Sequence, residues 1–111
     1  MRKLDFKKRN RRKFDAHVAR TMSVWFSKYA TELVLGNEDV KYFDIYEADD
    51  MTLVMRESNE VDGLKLKRYR SGSCMCNAEF WRYMVANSYD YLTVYRGADG
   101  EIHIGRYKKN G

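Results

Sequence analysis

Between Phe14 and Leu35 the apolar side chains Phe14, Val18, Met22, Trp25, Tyr29 and Leu33 recur at spacings of three and four, and beyond Asn37 that period gives way to alternation. Spacings of three and four line one face of a helix, whereas a period of two lines one face of a strand. The chain therefore divides at Gly36-Asn37 into a helical opening and a strand-rich remainder. Phe26 and Leu35 widen the helical stripe, Asn10 is a candidate N-cap, and Gly36 suits the residue just past the helix end.

The strand-rich part opens with Lys41 to Tyr46 and Met51 to Glu57, flanking the acidic Glu47-Ala48-Asp49-Asp50 turn. Leu64 to Arg70 follows and completes a three-stranded meander. Ser71-Gly72-Ser73 breaks the run. A second, short helix is capped by Asn77 or Ser73, ends near Asn87 and buries Phe80, Trp81, Met84 and Val85. Tyr91 to Arg96 and Glu101 to Tyr107 flank Gly97-Ala98-Asp99-Gly100, a four-residue hairpin connection. The fold class expected is α+β: an N-terminal amphipathic helix, a mostly antiparallel sheet of about five strands, and a second short helix before a C-terminal β-hairpin. No internal repeat is visible. Residues 1–13 form a basic N-terminal arm and 14–111 a single domain.

No apolar run is long enough to span a membrane, and the charged N-terminus lacks the apolar core of a signal peptide, so a cytoplasmic location is expected. Cys74 and Cys76, one residue apart, are spaced for reduced thiols rather than a relaxed disulfide. A zinc site would need both of them with His17 and His103 from distant segments, and no phosphate-loop, dinucleotide or kinase pattern occurs. No cofactor or metal is expected.

Charge is segregated. Arg2, Lys3, Lys7, Lys8, Arg9, Arg11, Arg12 and Lys13 oppose Asp5 alone, giving the arm more positive charge than the whole chain's +5. From Asn37 to Asp62 nine carboxylates oppose Lys41 and Arg56, and from Gly63 onward nine cations oppose four acids.

Four constellations follow. The arm's Lys7, Lys8, Arg9, Arg11, Arg12 and Lys13 can contact phosphates and release counterions, with Lys65, Lys67, Arg68 and Arg70 adding a second basic segment. If Leu92, Val94, Ile102 and Ile104 point into a core, Tyr91, Thr93, Tyr95, Glu101, His103 and Tyr107 share the outer face of the last hairpin, rimmed by Arg96, Arg106 and Lys108, and suit base stacking or a protein contact. Asp44, Glu47, Asp49 and Asp50 offer an acidic surface to a basic partner. Finally, His103, Glu101, Glu57, Arg68 and Arg70 are the residue types of a metal-independent ribonuclease, although their spacing does not demand one.

The leading expectation is a small nucleic-acid-binding protein for DNA or RNA, using the arm and an aromatic, basic sheet face. The alternative is a phage-type accessory protein that binds and inhibits or redirects a larger protein complex of host defence or nucleic-acid processing.

Overall fold

At Ser27 the backbone is extended and the side-chain hydroxyl accepts the Ala30 amide at 3.1 Å, which starts a helix there and not near Asn10. In a computed structural model describing residues 14–59 and 61–107, the segment before Ser27 forms strands β1 (Ala16–Val18) and β2 (Val24–Phe26), and only Lys28–Leu35 is helical, as α1. The remaining elements are β3 (Val40–Glu47), β4 (Leu53–Glu57), β5 (Leu64–Tyr69), β6 (Gly72–Met75), α2 (Ala78–Ala86), β7 (Tyr91–Arg96) and β8 (Ile102–Arg106).

These strands close into an eight-stranded antiparallel barrel in the order β1-β2-β6-β5-β3-β4-β8-β7, with β7 returning to β1 through Ala16↔Leu92 and His17↔Tyr91. The α+β expectation is therefore overturned: among the described residues there is no long N-terminal helix and no five-stranded open sheet. The stripe from Phe14 to Trp25 misled because its middle is a hairpin. Ala19 N donates to Ser23 O, Met22 adopts φ 59°, and long-range bonds hold the ends, with the Asp15 carboxylate accepting the Val94 amide and Trp81 Nε1 donating to Ala19 O. Closure supplied partners that local periodicity could not reveal.

Two further expectations change. The segments 41–46, 51–57 and 64–70 are not a meander, because β4 and β5 lie on opposite sides of β3. The connection between them crosses at Phe43, where Gly63 sits so close that an added Cβ would lie 3.1 Å from Phe43 O. Residues 72–75, expected to be a break and helix entry, form β6, and Asn77 alone caps α2 by accepting the Phe80 amide at 2.9 Å.

Eight strands enclose a space that side chains can fill. Ala16, Val24, Phe26, Phe43, Leu53, Met55, Leu66, Met75, Leu92, Val94, Ile102 and Ile104 point inward and are buried, while alternate positions of β3, β4 and β5 carry Asp44, Arg56, Lys65 and Lys67. No helix among the described residues is long and apolar enough to cross a membrane. The helices close opposite mouths. α1 seats Ala30, Val34 and Leu35 in the core, and its Thr31 hydroxyl bonds Ser73 at the start of β6. α2 contributes Phe80 and Met84, and its Tyr83 hydroxyl donates to Glu47 at the far end of β3, a bond that pushes the phenol up to about 12.

The barrel also contains a repeat, contrary to expectation. Exchanging β1 with β5, β2 with β6, β3 with β7, β4 with β8 and α1 with α2 returns the same cyclic order read backwards, so two ββαββ halves are related by a pseudo-two-fold axis across the barrel. The register agrees. Leu53 pairs with Ile104 and Met55 with Ile102, so a shift of 49 residues carries Leu53 onto Ile102 and Met55 onto Ile104. The same shift superposes Tyr42 on Tyr91, Tyr46 on Tyr95 and Asp50 on Asp99. It also matches the turns. Ala48 N donates to Thr52 O as Gly97 N donates to Glu101 O; Asp50 and Asp99 each accept the amide two residues on; and Met51 and Gly100 have φ 66° and 82°. The axis passes through the Trp25↔Cys74 pair on one side of the barrel and Val54↔His103 on the other.

Candidate nucleic-acid interface

On the side made by β1, β2, β6 and β5, cross-strand register sets His17, Trp25, Cys74 and Lys67 in one row facing away from the core, with Cys74 covered by its neighbours. The Trp25 and Tyr69 rings lie 5.5 Å apart, and Lys67 Nζ sits 5.4 Å from the centre of the Tyr69 ring. At the other edge Phe14 packs on His17 and on Tyr91, with centroids 5.6 and 4.7 Å apart. Between these aromatics is an open depression of about 400 Å³ lined by Phe14, His17, Ala19, Trp25, Phe26, Ser27 and Ser71. Gly72 makes the tight β2–β6 approach beside it possible: a Cβ there would fall 2.1 Å from Phe26 O.

The same four strands and their hairpin turns carry Arg20, Lys65, Lys67, Arg68 and Arg70 against Asp15. Arg20, Lys65, Lys67 and Arg70 are exposed. Arg68 is not available in the same way. Its guanidinium donates to Glu32 at 2.8 Å, to Gly36 O and to Glu38 O, and lies 3.7 Å from Asp39, so it closes the C-terminus of α1. Arg106 plays the matching part at α2, donating to Asn87 O and stacking 3.9 Å above Tyr89.

The opposite side holds the second half of the expected tyrosine face. Leu92, Val94, Ile102 and Ile104 do point inward, and Tyr91 and Tyr95 both point out. They part company, however, because β7 runs from the basic side at Tyr91 to the opposite side at Tyr95. There Tyr95 stacks on His103 at 5.3 Å, while Asp99 meets His103 Nε2 at 3.1 Å and Thr52 meets Nδ1 at 3.3 Å. The Thr52 hydroxyl donates to Asp50 at 2.6 Å. That bond, with the Thr52 amide, holds the Asp50 carboxyl below its usual range, and the Glu101 amide, with His103, does the same for Asp99. His103 thus ties together the two symmetry-related turns, with both nitrogens engaged and one ring face covered.

The residue set for a ribonuclease is not assembled. Arg68 closes α1, Arg70 stands on the basic side, Glu57 pairs with Lys41 at 3.1 Å, and Glu101 pairs with Arg56 at 2.9 Å. Of the acidic block, Asp44 faces Arg56 across β3 and β4, Glu47 holds Tyr83, Asp50 shapes its turn, and Asp49 is exposed. His17 and His103 stand on opposite sides of the barrel, apart from each other's reach, and among the described residues no group of three or more ligand types is placed to hold a metal. Lys7, Lys8, Arg9, Arg11, Arg12 and Lys13 lie outside the described residues.

Comparison with family models, curated proteins and solved structures finds no match.

Periodicity reasoning missed Trp25, Tyr69 and His17 as surface aromatics. The Val24-Trp25-Phe26 run, with two aromatics and a β-branched residue immediately before a good N-cap serine, was the available signal.

Proposed function

We propose that the protein binds nucleic acid through the β1-β2-β6-β5 side of the barrel, with Lys65, Lys67, Arg70 and Arg20 on phosphates, the arm adding further phosphate contacts, and Trp25, Tyr69 and Tyr91 offering rings to bases. The observation that carries this reading is the juxtaposition of the Trp25–Tyr69 pair with Lys67, on the side where residue 14 joins the arm. Arg68 and Arg106 serve the helices, and Tyr95 and His103 lie outside this surface. The reading places the protein in the cytoplasm.

Titrating labelled duplex DNA and single-stranded RNA with the full chain, a chain lacking residues 1–13, and Lys65→Glu/Lys67→Glu tests it. If most of the arm's cations meet duplex phosphates, the log–log salt slope is roughly −5 to −7 and shrinks when the arm is removed. Absence of binding at physiological salt sinks the proposal.

A second reading, the phage-type accessory protein that binds a larger protein, rests on the other side of the barrel. Asp44, Asp49, Asp50 and Asp99 lie on the strands and turns that carry the exposed Tyr46, Met51 and Tyr95, which suits a basic protein surface even with Arg56 5.0 Å over the Tyr46 ring. It requires a stoichiometric complex that survives nuclease and is weakened by Tyr46→Ala. Loss of the complex on nuclease treatment refutes it.

A further inference from the structure

Cys74 and Cys76 are both free thiols, yet their sulfurs lie 3.2 Å apart, with Cys74 buried and Cys76 exposed. The two are held very differently. Cys74 is fixed in the ladder between Trp25 and Lys67, at the point where the pseudo-two-fold axis leaves the barrel. Cys76 lies one residue beyond the last pair of β6, Val24↔Met75, and one residue before Asn77, the N-cap of α2. One sulfur is anchored and the other stands on a short coil connection that can give.

We propose that Cys74 and Cys76 form a dithiol switch, which a low-molecular-weight disulfide converts to an intramolecular Cys74–Cys76 disulfide that loosens the N-terminus of α2. The exposed Cys76 thiolate attacks one sulfur of the oxidant, breaking its S–S bond, forming a mixed disulfide and releasing one small thiolate. The Cys74 thiol then attacks Cys76 Sγ, and its proton passes to the small thiolate that departs from Cys76. The Cys74–Cys76 bond forms as the mixed disulfide breaks, and the second small thiol leaves. Two protein thiols lose two electrons, and one small disulfide gains them. The order is set by access, since only Cys76 meets solvent. Burial pushes the Cys74 thiol up to about 12, which agrees with its acting second.

Bonding distance is about 2 Å, so one sulfur must move by roughly 1 Å, and Cys76 is the one free to do so. Its displacement draws on Asn77, whose side chain holds the Phe80 amide. A ring closed through a single intervening residue is strained, which makes the bond easily reduced again.

The test treats the folded full chain with oxidised glutathione and follows intact mass and amide exchange, alongside Cys74→Ser and Cys76→Ser. The wild-type chain is expected to lose two hydrogens and regain them with dithiothreitol. Cys74→Ser is expected to stop at a stable glutathionyl adduct, and Cys76→Ser to remain unmodified. In the oxidised chain, exchange at the Phe80 amide rises about fivefold with the weakened cap. A wild-type chain that stops at the glutathionyl adduct, or dimerises through Cys76, overturns the switch. Unchanged exchange at Phe80 in the oxidised chain overturns its coupling to α2. Neither result depends on whether nucleic acid binds.

Discussion

Gly72→Ala is expected to remove most of the barrel's stability, because the methyl group has nowhere to go. It would lie 2.1 Å from the Phe26 carbonyl oxygen and 3.3 Å from the Phe26 carbon, both backbone atoms in the ladder that joins β2 to β6. Relieving the clash requires a shift of roughly 1 Å between the strands. Phe26 and Met75, both fully buried, are each worth about 1.5–3 kcal/mol; losing about half of that, together with one ladder bond of about 1 kcal/mol, costs about 2.5–4 kcal/mol. The φ of 153° at Gly72, a region L side chains rarely adopt, adds about 1 kcal/mol. For a domain of this size each kcal/mol lowers Tm by about 4–8 °C, so the melting temperature should fall by roughly 15–40 °C. Gly100→Ala is the internal control. Nothing lies within 4 Å of its would-be Cβ, so only the φ of 82° counts and the loss is about 1–2 kcal/mol. Thermal unfolding followed by circular dichroism reads both. A Gly72→Ala protein that melts within a few degrees of wild type, or less affected than Gly100→Ala, refutes the close β2–β6 approach.

Arg68→Ala should cost about 1.5–3 kcal/mol by exposing the carbonyls at the end of α1, and most of the loss should persist in about 1 M salt because two of its acceptors are backbone oxygens. Asp50 and Asp99 have folded-state pKa values below their unfolded ones, so their contribution is present above the usual carboxylate range and is lost as pH falls through the lower folded values. Melting curves from pH 5 down to pH 2 should therefore flatten in Asp50→Asn/Asp99→Asn relative to wild type; an unchanged profile contradicts the assignment. The pseudo-two-fold axis predicts that the halves can be reordered. Phe14 and Tyr107 both meet Tyr91, the first by ring contact and the second through its amide, so a chain running 61–111 followed by 1–60 should give the same barrel and a single cooperative transition. A rearranged chain without such a transition counts against two interchangeable units.

What the sequence determined by itself was local. Alternation placed β3, β4, β5, β7 and β8 to within a residue or two, the start of α2 was narrowed to Asn77 or Ser73, and Gly36 marked the end of α1, because strand pleat, capping and positive φ are properties of a few adjacent residues. Likewise, the inward set on the last hairpin followed from period two. Closure belonged to the tertiary structure. β1, β2 and β6 are three, three and four residues long, too short to declare themselves, and they exist because both neighbours satisfy their backbone groups. The repeat was hidden for a related reason. Its halves share Tyr42/Tyr91, Tyr46/Tyr95 and Asp50/Asp99 but otherwise mainly the alternation of inside and outside, which many unrelated strands also show. The candidate interface depended on the same closure: Trp25, Tyr69 and Lys67 are separated by more than forty residues of chain on one side of the group, and only the β2–β6–β5 pairing brings two rings and an ammonium to one surface while withdrawing Arg68 to hold a helix end.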